Sequence, residues 1–156
     1  MCGSAEAEIR DLMHRYAELF DGGKIDEFAD LFARGTLHFR GLDEPCIGSQ
    51  AVRDFIDRRV ILYDGRPRTN HVVTNILVEV DPARSAATAR SYVIVLQATP
   101  ELPLQPIVTG RYHDVFAHDA STGWHFVERE ARGGLRGDIS HHLRPKSHDE
   151  QGHSVG

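Results

Sequence analysis

A carboxylate precedes a break between two helical patterns near the start of the chain. Residues 17–32 read AELFDGGKIDEFADLF, and Asp21 is the last residue before Gly22 and Gly23 interrupt the pattern. Glycine adopts the left-handed backbone geometry that closes the last turn of a helix, so we expect the helix to end there. An aspartate at this place has two interpretations: its side chain caps nearby backbone amides, or it presents a carboxylate to a site. Residue types alone leave both open.

Histidines are the second source of acid and base chemistry, and the chain contains ten of them. His71 lies in a strand-like pattern, where it is either a structural residue or a group that exchanges protons near neutral pH. Four others, His141, His142, His148 and His153, lie in polar C-terminal residues, where no rigid geometry would hold metal ligands. No HxxxH spacing, phosphate-binding glycine loop or GxSxG motif occurs, so we predict no metal and no cofactor.

Helical periodicity lies on both sides of the break. Residues 5–20 carry one apolar stripe at i, i+3, i+4 and i+7, with Ser4 as the expected N-cap. Residues 25–32 resume a helical stripe. After a short strand at 36–40, Ser49 is expected to cap a third helix with its own apolar face.

The apolar period changes to two in the second half of the chain. Residues 70–80, 86–98, 106–118 and 123–133 are rich in Val, Ile, Thr and Tyr and are separated by turn-forming residues. We predict four long strands in an antiparallel meander. Three N-terminal helices would cover this strongly curved antiparallel sheet, which places the chain in the α+β class.

The direction of His71 is left open by its strand pattern. Strict alternation groups His71 with Val73 and Asn75, whereas Val72 and Val78 belong to the more apolar set. Either the concave face of the sheet carries the mixed set, or a β-bulge changes the register within the strand.

Composition excludes several classes of protein. The net charge of −5 and the pI near 6.0 argue against a nucleic-acid partner. No apolar run is long enough to cross a membrane, and the first residues lack the apolar core of a secretory signal. Cys2 and Cys46 have no paired spacing, which favours a reducing compartment, so we expect a soluble cytoplasmic protein. We predict one domain over residues 1–138 and a disordered tail over 139–156. The charged run 128–130 is interpreted as a solvated sheet face or part of a dimer interface.

Six features in a fixed order carry a family resemblance. They are RYAELFDGGKIDEFADLF at 15–32, Gly48 with the helix that follows it, RTNHVVTN at 68–75, ARSYVIV at 89–95, GRYHDVF at 110–116 and GWHFVERE at 123–130. In this order they resemble the nuclear transport factor 2-like proteins, and within them the SnoaL-like branch, similar to polyketide cyclases, scytalone dehydratase and ketosteroid isomerase. The resemblance implies a cone-shaped α+β barrel with an apolar pocket between the helices and the concave face of the sheet. Many activities, and some non-enzymes, share that fold.

The resemblance also implies a site. Asp21 and His71 stand where scytalone dehydratase-like members pair an aspartate with a histidine, so Asp21 would orient His71 as the acid/base residue. Four further positions are implied to belong to the substrate pocket: Tyr16, Phe39, Gln97 and His113. Tyr16 matches an oxyanion-binding tyrosine of ketosteroid isomerases, although its helical stripe also explains it as core. Gln97 stands where dehydratases have a second histidine, which leaves the dehydratase reaction itself in question.

The function that follows from the resemblance is catalysis without a cofactor. We expect a lyase, isomerase or cyclase that acts on a small hydrophobic carbonyl or phenolic substrate, similar to a polyketide, through His71 and Asp21. Two alternatives stay open: a non-catalytic protein that binds a hydrophobic small molecule, and a structural partner resembling the small subunit of ring-hydroxylating oxygenases. The resemblance also implies a homodimer formed through the outer face of the sheet.

Overall fold

Three helices pack on a curved six-stranded sheet in the computed structural model, which describes residues 3–147. The helices are α1 (Ala5–Asp21), α2 (Ile25–Asp30) and α3 (Gly48–Arg59). The strands are β1 (Thr36–Arg40), β2 (Cys46–Ile47), β3 (Thr69–Val80), β4 (Ala86–Thr99), β5 (Leu102–Asp119) and β6 (Gly123–Arg136). The predicted α+β class is confirmed. Residues 1–2 and 148–156 lie outside the described part of the chain, and with them Cys2, His148 and His153.

The sheet is open and mixed, with the strand order β2-β1-β6-β5-β4-β3. Strands β3 to β6 form the antiparallel meander that the period of two predicted. The first strand, β1, pairs in parallel with β6, from Thr36 opposite Glu128 to Arg40 opposite Arg132. This pair joins strands about ninety residues apart, so no local pattern in the sequence predicts it. The sheet is therefore not purely antiparallel, and its linear order leaves it unclosed.

The helix termini depend on caps and glycines. The Ser4 hydroxyl accepts a hydrogen bond from the Ala7 amide at 3.1 Å, as predicted for the first helix. The prediction that Ser49 caps the third helix is wrong, because α3 begins at Gly48 directly after β2 and no side chain caps it.

Between residues 3 and 147, no helix is long and apolar enough to cross a membrane.

A bulge in β3 settles which way His71 points. Asn75 adopts a left-handed conformation with φ of 54°, and the pairing of β3 with β4 shifts between Thr74 and Leu77. Because of this shift, His71 on one side of the bulge and Val78 on the other both face the helices. Leu77 is 57% exposed on the outer face. Of the two interpretations left open by the sequence, the β-bulge that changes the register is therefore correct.

Residues 139–144, here called the C-terminal segment, pack against the end of α3. The Arg144 amide donates to the Arg59 carbonyl at 2.7 Å, and the Ile61 amide donates to the His142 carbonyl at 2.9 Å. Leu143 forms a β-bridge with Val60. The segment was predicted to belong to a disordered tail. It differs from that prediction because backbone hydrogen bonds, which composition does not reveal, fix its position.

Candidate active site

Asp21 connects the end of α1 to the start of β3. Its carboxylate accepts three hydrogen bonds, each 2.7 Å long: from the Thr69 hydroxyl, the His71 amide and Nδ1 of the His71 ring. Both side chains are largely buried, with 15% of Asp21 and 9% of His71 exposed. Asp21 thus caps a neighbouring strand rather than its own turn, and in doing so it holds an imidazole.

The contact with Asp21 fixes the orientation and tautomer of the His71 ring. A carboxylate only accepts hydrogen bonds, so the proton of the neutral ring lies on Nδ1 and the lone pair on Nε2. Within the described residues Nε2 has no hydrogen-bond partner, and the ring lines a cavity. An imidazole held this way can take a proton from a bound molecule or, once protonated, give one back.

The cavity has a volume of about 490 Å³ and lies between the helices, the concave face of the sheet and the C-terminal segment. Most of its wall is aromatic or aliphatic, including Phe20, Phe39, Phe55, Val93, Val95 and Tyr112. Tyr16 and Phe39, two of the residues predicted for the pocket, line it. The Phe39 ring stacks on Phe55 with 4.9 Å between centroids. A cavity of this size and lining is typical of sites for small hydrophobic ligands.

The other two residues predicted for the pocket do not line this cavity. His113 lies on the outer face of the sheet, opposite Glu130 of β6, because its neighbours Tyr112 and Asp114 face inward. Gln97 is buried, and its amide donates to the carbonyls of Pro67 and His141, at 3.1 Å each. Its role is to join the loop before β3 to the C-terminal segment.

A second histidine, His142, lines the cavity and was missed by the sequence analysis. The ring of Phe20 makes edge contacts with both imidazoles, with centroid distances of 5.1 Å to His71 and 6.0 Å to His142. Burial lowers the pKa of His142 to about 4; the nearby His71 acts in the same direction and Asp21 opposes it. Its neighbours in the sequence are mostly polar, so the sequence did not predict a cavity residue there. Two apolar residues of the same segment, Ile139 and Leu143, were the only indication that the segment packs against the core, and both line the cavity.

An ion pair lies buried beneath the aromatic wall. Arg129 donates to both carboxylate oxygens of Asp114, at 2.8 and 2.7 Å, and neither side chain is exposed to solvent. The Arg129 guanidinium lies 4.3 Å from the ring centroid of Tyr16 and 3.9 Å from that of Tyr112. The interpretation of run 128–130 as a charged sheet face is therefore wrong for its central residue. Burial raises the pKa of Tyr16 to about 12, so its phenol stays protonated at neutral pH.

No cluster of three or more histidine, cysteine, aspartate or glutamate side chains able to hold a metal ion is found among residues 3–147.

Comparison with known proteins places the chain in a family. A family model described as the SnoaL-like domain matches residues 4–130. An NTF2-like protein with a cystatin-like fold from Novosphingobium aromaticivorans is 24% identical, with a TM-score of 0.69 over 86% of this chain and 84% of that one. A protein of unknown function from Mycobacterium tuberculosis is 27% identical, with a TM-score of 0.66 over 81% and 74% of the two chains. A protein provisionally named scytalone dehydratase, also from Novosphingobium aromaticivorans, is 23% identical, with a TM-score of 0.63 over 81% and 82%. No curated protein matches the chain.

Proposed function

The chain belongs to the SnoaL-like domain family, which includes cyclases and dehydratases, and from that premise we propose that it is a cofactor-independent lyase, isomerase or cyclase. His71 is the acid/base residue and Asp21 orients it. The substrate is a small hydrophobic carbonyl or phenolic compound, similar to a polyketide.

One observation carries this proposal: an imidazole is held at 2.7 Å by a carboxylate while its other nitrogen is left for a ligand in an apolar cavity. A structural histidine is usually hydrogen-bonded through both of its nitrogens, because a buried unpartnered polar atom is costly. The carboxylate also stabilises the positive charge that the ring gains on accepting a proton. Proton transfer by a group positioned in this way contributes on the order of 10²–10⁴ in rate.

The cavity wall supports the choice of substrate class. Aromatic and aliphatic side chains bind an apolar ring system by excluding water. The phenol of Tyr16, protonated at neutral pH, adds a polar group to this wall. A carbonyl or hydroxyl group on the substrate would meet these polar atoms while the rest of the molecule fills the apolar space.

Exchange of α-hydrogens tests the proposal without knowledge of the natural substrate. Bicyclic aromatic ketones such as 1-tetralone are incubated with the protein in D2O, and loss of the α-proton signal is followed by NMR. We expect catalysed exchange that falls by about 10²–10⁴ both in His71→Ala and in Asp21→Asn, which lacks the orienting charge.

His113→Ala is the matched control, because this histidine lies on the outer face of the same sheet. Exchange in this variant should equal that of the wild type. Equal rates in wild type and His71→Ala would contradict the proposal.

A binding protein without catalysis is the second candidate, and the mainly apolar cavity wall favours it. In that case 1-tetralone would bind, as seen in its line broadening and in protein shift changes, but its α-hydrogens would exchange no faster than in buffer. The same samples therefore separate the two candidates.

We further propose that the chain forms a homodimer through the outer face of the sheet. Apolar side chains at least 36% exposed recur along the strands of this face: Val72, Leu77, Tyr92, Ile94, Val115 and Val127. An exposed apolar surface of this kind is typical of association sites.

A further inference from the structure

We propose that His142 is a second catalytic residue, whose Nε2–H donates a hydrogen bond to the carbonyl oxygen of a ketone substrate while His71 removes the α-proton. The proposal rests on the proposed function of His71 and narrows it to enolisation.

His142 is held firmly at the cavity wall. Its backbone amide donates to the Ile139 carbonyl at 3.0 Å, and its carbonyl accepts from the Ile61 amide. The ring packs edge-on against Phe20, whose own ring contacts the base, His71. The two imidazoles therefore share one aromatic neighbour and face one cavity, which is the arrangement needed for two groups to act on a single small molecule.

The environment of the ring determines its protonation. His142 is only 8% exposed and its pKa lies near 4, so the ring is neutral at pH 7. Its Nδ1 is buried and has no hydrogen-bond partner within residues 3–147. A buried N–H without a partner is rarer than a buried acceptor without one, which favours the proton on Nε2.

The two histidines then have opposite roles. In His71, the N–H on Nδ1 donates to Asp21, so the atom available to a substrate is the acceptor Nε2. In His142 the available group is the donor Nε2–H. A base next to a hydrogen-bond donor matches the two centres of enolisation, the acidic α-carbon and the carbonyl oxygen.

The reaction step balances without any co-reactant. His71 Nε2 takes the α-proton, and the C–H electron pair becomes the new C=C bond. The carbonyl π pair moves onto oxygen, where the Nε2–H of His142 stabilises the negative charge. Return of the proton from His71 to carbon or oxygen restores the site. A neutral donor suits this step, because a charged His142 would repel the imidazolium formed at His71.

Hydrogen exchange of 1-tetralone in D2O tests the proposal through three variants. His142→Phe keeps an aromatic ring but loses the donor, and we expect the rate to fall by about 10². His142→Gln keeps an N–H donor and should stay within about tenfold of the wild type. His141→Phe is the matched control, because it alters the neighbouring residue of the same segment and should leave exchange unchanged.

The outcomes separate this inference from the proposed function. If His71→Ala abolishes exchange while His142→Phe matches the wild type, the role of His142 is wrong and that of His71 stands. An equal loss in His141→Phe and His142→Phe would assign the effect to packing of the segment and overturn the inference. If the wild type exchanges no faster than His71→Ala, both proposals fail.

Nitrogen-15 NMR of the imidazole rings gives a readout that needs no substrate. At pH 7 we expect His142 to show the neutral Nε2–H tautomer. A Nδ1–H tautomer or a charged ring at His142 would overturn the inference even where exchange had fallen.

Discussion

Replacing His142 by phenylalanine should change how the stability of the protein depends on pH. In the unfolded chain this histidine takes up a proton near its ordinary pKa of 6.5, whereas in the folded protein burial and His71 lower the pKa to about 4. Between these two values the unfolded state binds more protons, so the contribution of His142 to stability is complete above pH 6.5 and is lost as the pH falls towards 4. The lowering of the His142 pKa from 6.5 to about 4 corresponds to about 3 kcal/mol of stability. His142→Phe carries no such group and should not show that part of the loss.

Urea unfolding at pH 7, 6, 5 and 4 measures the effect as a difference. Groups that do not interact with His142 contribute equally to both proteins, so the free energy of unfolding of the wild type minus that of His142→Phe should fall by about 3 kcal/mol across this range. His141→Phe removes only a partly exposed ion pair with Asp138, so it should depart from the wild type by no more than about 1 kcal/mol. Parallel curves for wild type and His142→Phe would refute the reasoning, because they would show that His142 is not buried as a neutral ring.

Three further predictions concern the fold. Arg129→Met leaves Asp114 buried without its partner and should lower the free energy of unfolding, measured with urea, by about 3–5 kcal/mol. Adding Asp114→Leu should restore much of that stability. No loss of stability in Arg129→Met would contradict the buried ion pair. Asn75→Ala should cost about 1 kcal/mol because of its left-handed backbone, while Asn75→Gly should not, and equal stability of both variants would argue against the bulge. Tyr92→Glu should convert a dimer to a monomer in light scattering, whereas a monomeric wild type would disprove the proposed association.

The elements that depend on local pattern were predictable from the sequence. The stripe of α1, its cap at Ser4 and the four long strands follow from spacing and residue type within short windows. A short window does not contain the pairing of strands that lie far apart in the chain. The parallel contact of β1 with β6 depends on the curvature of the whole sheet, and the bulge at Asn75 changes which face each later residue of β3 occupies.

Only part of the candidate site could be predicted from the sequence, for the same reason. Only a family resemblance pairs Asp21 with His71, since fifty residues separate them in the chain. Arg129 lies between two glutamates and was interpreted as part of a charged surface, because its partner Asp114 is on the preceding strand. His142 lies in a polar segment, and its position follows from backbone contacts with the end of α3 rather than from any pattern. Buried polar residues are identified by their partners, and a single sequence does not show partners.

Gly23, the second residue after Asp21, explains why the site lies where it does. Gly23 adopts φ of 74°, and a Cβ at this position would approach the Gly65 carbonyl oxygen to 2.2 Å. Only glycine therefore allows the end of α1 to lie against the loop that leads into β3. That contact brings the carboxylate of Asp21 to the first residues of the strand, where the same side chain fixes the backbone and the ring of His71. A larger residue at position 23 would move the carboxylate away from the imidazole, so the helix break is part of the site and not only a turn.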